Sequence, residues 1–211
     1  MLKLDVFAGT VSNLTDARYF AARSAKWLGF NMDQLNPNAL SIMEVNAIKE
    51  WLDGVQIIGE FGDVTQEEIT KTVEAAGLDG VLAGHFTSRA AIEGLNLPVF
   101  KEIIIDPSLQ ASELEATLES FEGSVAYFIL DFDRNKVVPG GNISIEQLKA
   151  LNDQYALVIS FPWEKYSLDQ ALSDVDLNAL LVRGGEEEKV GFKSFEDLDE
   201  ILDALEIEEE Y

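Results

Sequence analysis

The feature that most constrains this chain is a repeated unit: an apolar, strand-like run, then a loop, then a helix opened by a hydroxyl residue with an acid or amide three places on. Ser41-Ile-Met-Glu44, Thr65-Gln-Glu-Glu68, Ser112-Glu-Leu-Glu115, Ser144-Ile-Glu-Gln147 and Ser167-Leu-Asp-Gln170 all have this form. In such a capping box, hydroxyl and carboxylate or amide satisfy the free amides of a helix start. The runs Leu2–Phe7, Trp27–Phe30, Val55–Glu60, Leu78–Ala83, Val99–Ile105, Val125–Asp131, Ala156–Phe161 and Ala179–Val182 are mostly apolar. That is expected of parallel strands covered on both faces. Helices follow over Thr15–Ser24, from Ser41, from Thr65 to Gly77, over Thr87–Glu93, from Ser112, Ser144 and Ser167, and over Phe195–Leu205, the last started by Ser194-Phe-Glu-Asp197.

Eight strand–helix units at roughly 20–30-residue spacing predict an α/β fold, a single-domain (β/α)8 TIM barrel over 1–211. Short helices would account for a length below the usual ~250 residues. The rival is a doubly wound open sheet. In a barrel the chemistry sits in the βα loops, at the carboxyl ends of the strands.

Composition narrows the function classes. The chain has no cysteine, which excludes disulfides, thiolate metal sites and a cysteine nucleophile. Fifteen basic against 39 acidic residues give a net charge of −24. Such a field opposes nucleic acid and anionic membranes as partners, and slows the approach of phosphorylated ligands. Met1–Asp5 lacks the apolar run of a signal peptide and no stretch approaches a membrane span, so a soluble, cytoplasmic protein is expected. Residues 206–211, Glu-Ile-Glu-Glu-Glu-Tyr, read as a frayed acidic tail. No cofactor or metal is expected.

The leading site candidate is Asp131, a carboxylate ending the sixth run before a loop that carries Gly140-Gly141. The alternative is that Asp131 only ends a strand and caps its loop. Gly140 and Gly141 form either a mobile loop over the site or a turn into the next helix. Arg183-Gly184-Gly185 suits a phosphate, because backbone amides approach an anion closely there and Arg183 adds charge. Glu186-Glu-Glu188 follows at once, and a flexible turn with a solvated acid run explains the same residues. His85 is the sole histidine and lies in a βα loop, as a functional group or as a solvated loop residue. Asp5, expected mid-strand, is a possible base near Asp131 or part of a polar layer. Asp133, Arg134 and Lys136 read as a solvated loop. Phe161 and Trp163 either line a pocket or close the barrel mouth.

Laid out in order, the chain resembles phosphoribosylanthranilate isomerase, the tryptophan-pathway barrel. The resemblance rests on Asn13-Leu-Thr-Asp-Ala17 after the first strand, Trp27-Leu-Gly-Phe30, Leu78-Asp-Gly-Val81, Leu130-Asp131 with Gly140-Gly141, and Val190–Leu198 before the last helix. It implies an Amadori rearrangement of a phosphorylated ribosylamine: an aspartic acid opens the ribose ring and a cysteine thiolate removes the C2′ proton. Asp131 matches the acid. Phe7 or Ala8 stands where the thiolate belongs, and neither accepts a proton. Asn36-Pro-Asn38-Ala39 replaces a loop with a substrate-holding arginine, Phe161-Pro-Trp163-Glu replaces a glycine pair of the phosphate cradle, and Leu181 replaces an aspartate. The expectation is an isomerase-like barrel for a small phosphorylated metabolite, with the base unidentified. The other expectations are a non-catalytic barrel that partners a tryptophan-pathway enzyme or a second copy of itself, and an isomerase or lyase acting on another sugar phosphate.

Overall fold

A computed structural model describes residues 2–184 and 195–207. Eight parallel strands close into a barrel in chain order: β1 (Asp5–Gly9), β2 (Trp27–Asn31), β3 (Gln56–Phe61), β4 (Gly80–Ala83), β5 (Val99–Ile104), β6 (Tyr127–Asp131), β7 (Leu157–Ser160) and β8 (Ala179–Arg183). Closure comes from β1 pairing with β8, Gly9 opposite Arg183. The open sheet is excluded.

The helices α1 (Leu14–Ala22), α2 (Ile42–Lys49), α3 (Gln66–Ala76), α4 (Arg89–Ile92), α5 (Ala111–Phe121), α6 (Ile145–Gln154), α7 (Leu168–Asp174) and α8 (Glu196–Leu205) follow the strands one by one. Capping boxes form at Ser41, Thr65, Ser144 and Ser167 as the spacing predicts. The fifth box is displaced. Gln110 and Glu113, not Ser112 and Glu115, cap α5, so that Ala111, Leu114 and Leu118 turn inward together. The Ser194 start lies outside the described residues.

Two apolar cores share the barrel wall. Between wall and helices lie residues such as Val6, Leu28, Ile57, Leu130 and Leu148. Inside the barrel lie Phe7, Trp27, Ile58, Leu82, Phe100, Ile129, Val158 and Leu181. The Phe100 ring stacks on Tyr127 with centroids 4.6 Å apart and meets Phe7 and Trp27 edge-on at 5.2 and 5.3 Å. These rings plug the barrel interior below its mouth.

β1 begins at Asp5 rather than Leu2. Before it, Leu2 bridges Glu206 and the Lys3 amide donates to the Leu205 carbonyl at 2.8 Å. Glu206, expected to begin a frayed tail, is thus paired; residues 208–211 lie outside the described residues. Among the described residues, no helix is long and apolar enough to cross a membrane.

Candidate active site

Side chains alternate across a strand, so a residue two places beyond an interior one faces the same way. Stepping two places from Phe7, Trp27, Ile58, Phe100, Ile129, Val158 and Leu181 reaches Gly9, Gly29, Glu60, Glu102, Asp131, Ser160 and Arg183. The interior therefore changes character along its axis. Rings and aliphatics fill it below; carboxylates, a guanidinium and bare glycines form its mouth.

Arg183 reaches from β8 to β6, where its Nη2 donates to Asp131 Oδ2 at 2.8 Å. The same nitrogen lies 3.3 Å from Glu102 Oε1 on β5. Asp131 Oδ1 accepts the Arg134 backbone amide at 3.0 Å, and the Arg134 guanidinium lies 3.7 Å from both Asp131 and Glu102. Asp131 is fully buried, and Glu102 nearly so. Burial works against the Arg183 charge, but Asp131, Glu102 and Glu60 together outweigh it and hold the guanidinium above its ordinary pKa.

Glu60 is held differently. Its Oε1 accepts the Thr10 backbone amide at 2.8 Å, and Oε2 lies 3.4 Å from the Thr10 hydroxyl. Among the described residues no cation stands within ion-pair distance of it. Burial pushes the Glu60 carboxyl up, with Glu102 adding to the effect and the Thr10 hydrogen bonds and Arg183 opposing it. Glu60, Glu102, Arg134 and Arg183 line a cavity of about 160 Å³ together with Thr10, Asn31, Asp33, Asn36 and Leu181.

Of the residues singled out from the sequence, Arg183 and Asp131 are brought together at this mouth, Arg183 on the cavity wall and Asp131 beneath it. Both Asp131 oxygens serve as acceptors, Oδ1 of the Arg134 amide and Oδ2 of the Arg183 guanidinium. Asp5 needs correction. It opens β1 at the amino end, half-exposed and ion-paired to Lys26, with the length of the strand between it and the mouth. Its parity with Phe7 carries no weight there, because the strand has barely begun. His85 does not line the cavity: its Nδ1 accepts the Ile104 amide at 3.0 Å, and its carbonyl accepts Lys101 Nζ. Burial, then the charge of Lys101, holds the His85 imidazole below its usual pKa.

Gly140 and Gly141 form an exposed turn into α6, away from the cavity, with Gly140 at φ +100° and its amide on the Ile143 carbonyl. Gly184 directly follows Arg183, and Gly185 lies outside the described residues. Phe161 is fully buried against Phe132, Trp163 and Tyr166, so the β7 loop packs aromatic rings where the resemblance implies part of a phosphate cradle. Asp133 and Lys136 pair on the surface, as read from the sequence, and Arg134 stays exposed while its guanidinium reaches over the mouth to within 3.7 Å of Asp131 and Glu102.

Sequence reading passed over Glu60, Glu102 and Lys101. For Glu60 and Glu102 the signal was present: each stands two places after a large apolar residue, Ile58 and Phe100, in a strand that is otherwise apolar inward. Lys101 faces the opposite way, toward the helices. It is buried, donates to the Gly84 and His85 carbonyls at 2.5 and 2.8 Å, and lies over the Phe121 ring.

Neither a protein-family model nor a curated protein sequence matches the chain. Solved structures do. Phosphoribosyl anthranilate isomerase from Thermus thermophilus superposes with a TM-score of 0.73 at 22% identity, covering 96% of this chain and 98% of that one. The same enzyme from Thermococcus kodakaraensis gives 0.74 at 18%, with the same coverage. A phosphoribosyl anthranilate isomerase in complex with reduced 1-(o-carboxyphenylamino)-1-deoxyribulose 5-phosphate gives 0.72 at 19%, covering 94% and 96%. At these identities the likeness establishes a shared fold.

Proposed function

We propose that this barrel is an acid–base isomerase of the phosphoribosylanthranilate isomerase kind, acting on a small phosphorylated metabolite at its carboxyl-terminal mouth. One observation carries the reading: ionised side chains gather at the mouth, while the interior below is filled with rings. Bringing carboxylates and guanidiniums out of water costs several kcal/mol per ion. A barrel kept only for its shape would fill these positions as it fills those beneath, so the charges mark a place for a ligand.

In this reading Arg183 and Arg134 hold the anionic end of the substrate as paired donors. Glu102 and Asp131 orient Arg183. Asp131, the acid by resemblance, becomes a positioning residue that acts through the guanidinium above it. The test uses phosphoribosylanthranilate made in situ, followed by loss of its fluorescence. The wild type should turn it over above background, and Asp131→Asn should raise KM more than it lowers kcat. Absence of turnover contradicts the reading. A fall in kcat alone would return Asp131 to the role of acid.

A second reading has its own support. At about 160 Å³ the cavity is smaller than the ~300 Å³ at which ligand pockets usually begin, and Arg183 is already engaged. A non-catalytic barrel serving a second copy or a tryptophan-pathway enzyme fits a mouth closed in this way. Inactive wild-type protein that forms a stable complex with itself or such an enzyme would favour it.

A further inference from the structure

We propose that Glu60 is the catalytic proton-transfer group of this mouth, carried from β3 to the end of β1, where the chain has no side chain of its own. The inference rests on the isomerase reading and supplies the group that reading lacks.

The cavity offers few alternatives. Asp131 and Glu102 both bond to Arg183, and Asp33 accepts the Leu35 amide of its own loop at 2.9 Å, whereas among the described residues Glu60 bonds only to Thr10. Two glycines make its position possible. A Cβ on Gly29 would lie 2.1 Å from Glu60 Oε1, and one on Gly9 would lie 3.4 Å from the same atom. The inward positions on β1 and β2 are thus empty, and the carboxylate from the next strand occupies the space.

The backbone that holds Glu60 is strained. Thr10 sits at φ +55°, a left-handed conformation that a β-branched residue adopts at a cost on the order of 1–3 kcal/mol. That conformation accompanies an amide that donates to Glu60, while the next amide, Val11, bonds to the Gly29 carbonyl at 2.7 Å. Strain of this kind persists where the surroundings over-determine it, and it clusters at active sites. Burial raises the Glu60 carboxyl pKa, the direction that strengthens a carboxylate as a base.

In the step assigned to it, a Glu60 oxygen takes the proton from the carbon next to an iminium carbon. The C–H electron pair becomes the new carbon–carbon double bond, and the iminium pair moves onto nitrogen to give an enolamine. Glu60, now protonated, returns the proton to the former iminium carbon as the enol hydroxyl loses its own proton to water.

The test compares wild type, Glu60→Gln and Glu60→Asp in two measurements. The first is turnover of phosphoribosylanthranilate made in situ. The second is deuterium uptake from D2O, beside the carbonyl, by 1-(o-carboxyphenylamino)-1-deoxyribulose 5-phosphate, with its binding measured in parallel. Loss of at least ~100-fold in kcat for Glu60→Gln at unchanged KM, with partial recovery in Glu60→Asp, supports the assignment. Exchange by the wild type but not by Glu60→Gln supports it even without full turnover. Turnover by Glu60→Gln at the wild-type rate overturns the assignment and leaves the isomerase reading standing. A wild type that binds the ketone yet neither exchanges nor turns over overturns both.

Discussion

The Arg183 guanidinium spans the mouth of the barrel and donates to the buried Asp131 carboxylate at 2.8 Å, joining two residues 52 positions apart in the chain. Glu102 and Arg134 complete the cluster. This arrangement changes what Asp131 is expected to do, and several measurements follow from it.

Removing one side of the pair leaves the other charged and out of water. Breaking a fully buried pair costs ~3–5 kcal/mol; Arg183 retains some exposure, which relieves part of this, so Asp131→Asn should destabilise by about 2 kcal/mol. Urea unfolding should show a lower midpoint at unchanged slope. The double variant Asp131→Asn/Arg183→Met should lose less than the two single losses combined.

Glu60 should behave in the opposite sense. Because burial raises its carboxyl pKa, the folded state binds a proton more tightly than the unfolded chain does. Its contribution to stability is therefore full below the ordinary glutamate range and is lost as pH rises through the folded value. Glu60→Gln should raise the melting temperature at neutral pH, and that gain should shrink as pH falls through the folded value toward the ordinary glutamate pKa, with no further change below it. A gain independent of pH would contradict the assignment of its environment.

Lys101 gives a prediction in a different window. Burial holds its pKa at about 8, against an ordinary 10.5, although Glu102 opposes the shift. The folded state therefore releases the proton first, and stability should climb as pH rises from about 8 toward 10.5, by up to roughly 3 kcal/mol. Lys101→Met removes the climb, so the wild-type minus variant difference should rise across the window. Tyr19 and Tyr166, pushed up by burial and by Asp199 and Asp174, are common to both proteins and cancel.

Gly29→Ala probes the space that Glu60 occupies. The new methyl would overlap Glu60 Oε1 and also lie 2.8 Å from the Phe7 ring. Overpacking of this kind costs ~1–3 kcal/mol. The carboxylate, as the flexible partner, should be displaced and activity should fall with it. Normal activity alongside normal stability would show that Glu60 does not need this position.

The fold was legible because its signals are local. Boxes such as Ser41 with Glu44 form within one helical turn, and each apolar strand lies within one run of residues. The box at α5 was misread because Gln110, two places earlier, also reaches Glu113. The site was legible only in part. Asp131 could be placed at a strand end from its own segment, but its engagement by Arg183 depends on barrel closure. Glu60 was hidden for a related reason: its role depends on two absent side chains, at Gly9 and Gly29, on strands that become its neighbours only when the barrel forms.

The most direct measurement is a crystal structure of the protein with reduced 1-(o-carboxyphenylamino)-1-deoxyribulose 5-phosphate, the compound bound by one of the similar barrels. The phosphate is predicted to lie against the Arg134 and Arg183 guanidiniums, with the carbon that exchanges its proton within ~3.5 Å of the Glu60 carboxylate. A mouth still closed by the Arg183–Asp131 pair, with the compound elsewhere or unbound at saturating concentration, would contradict it.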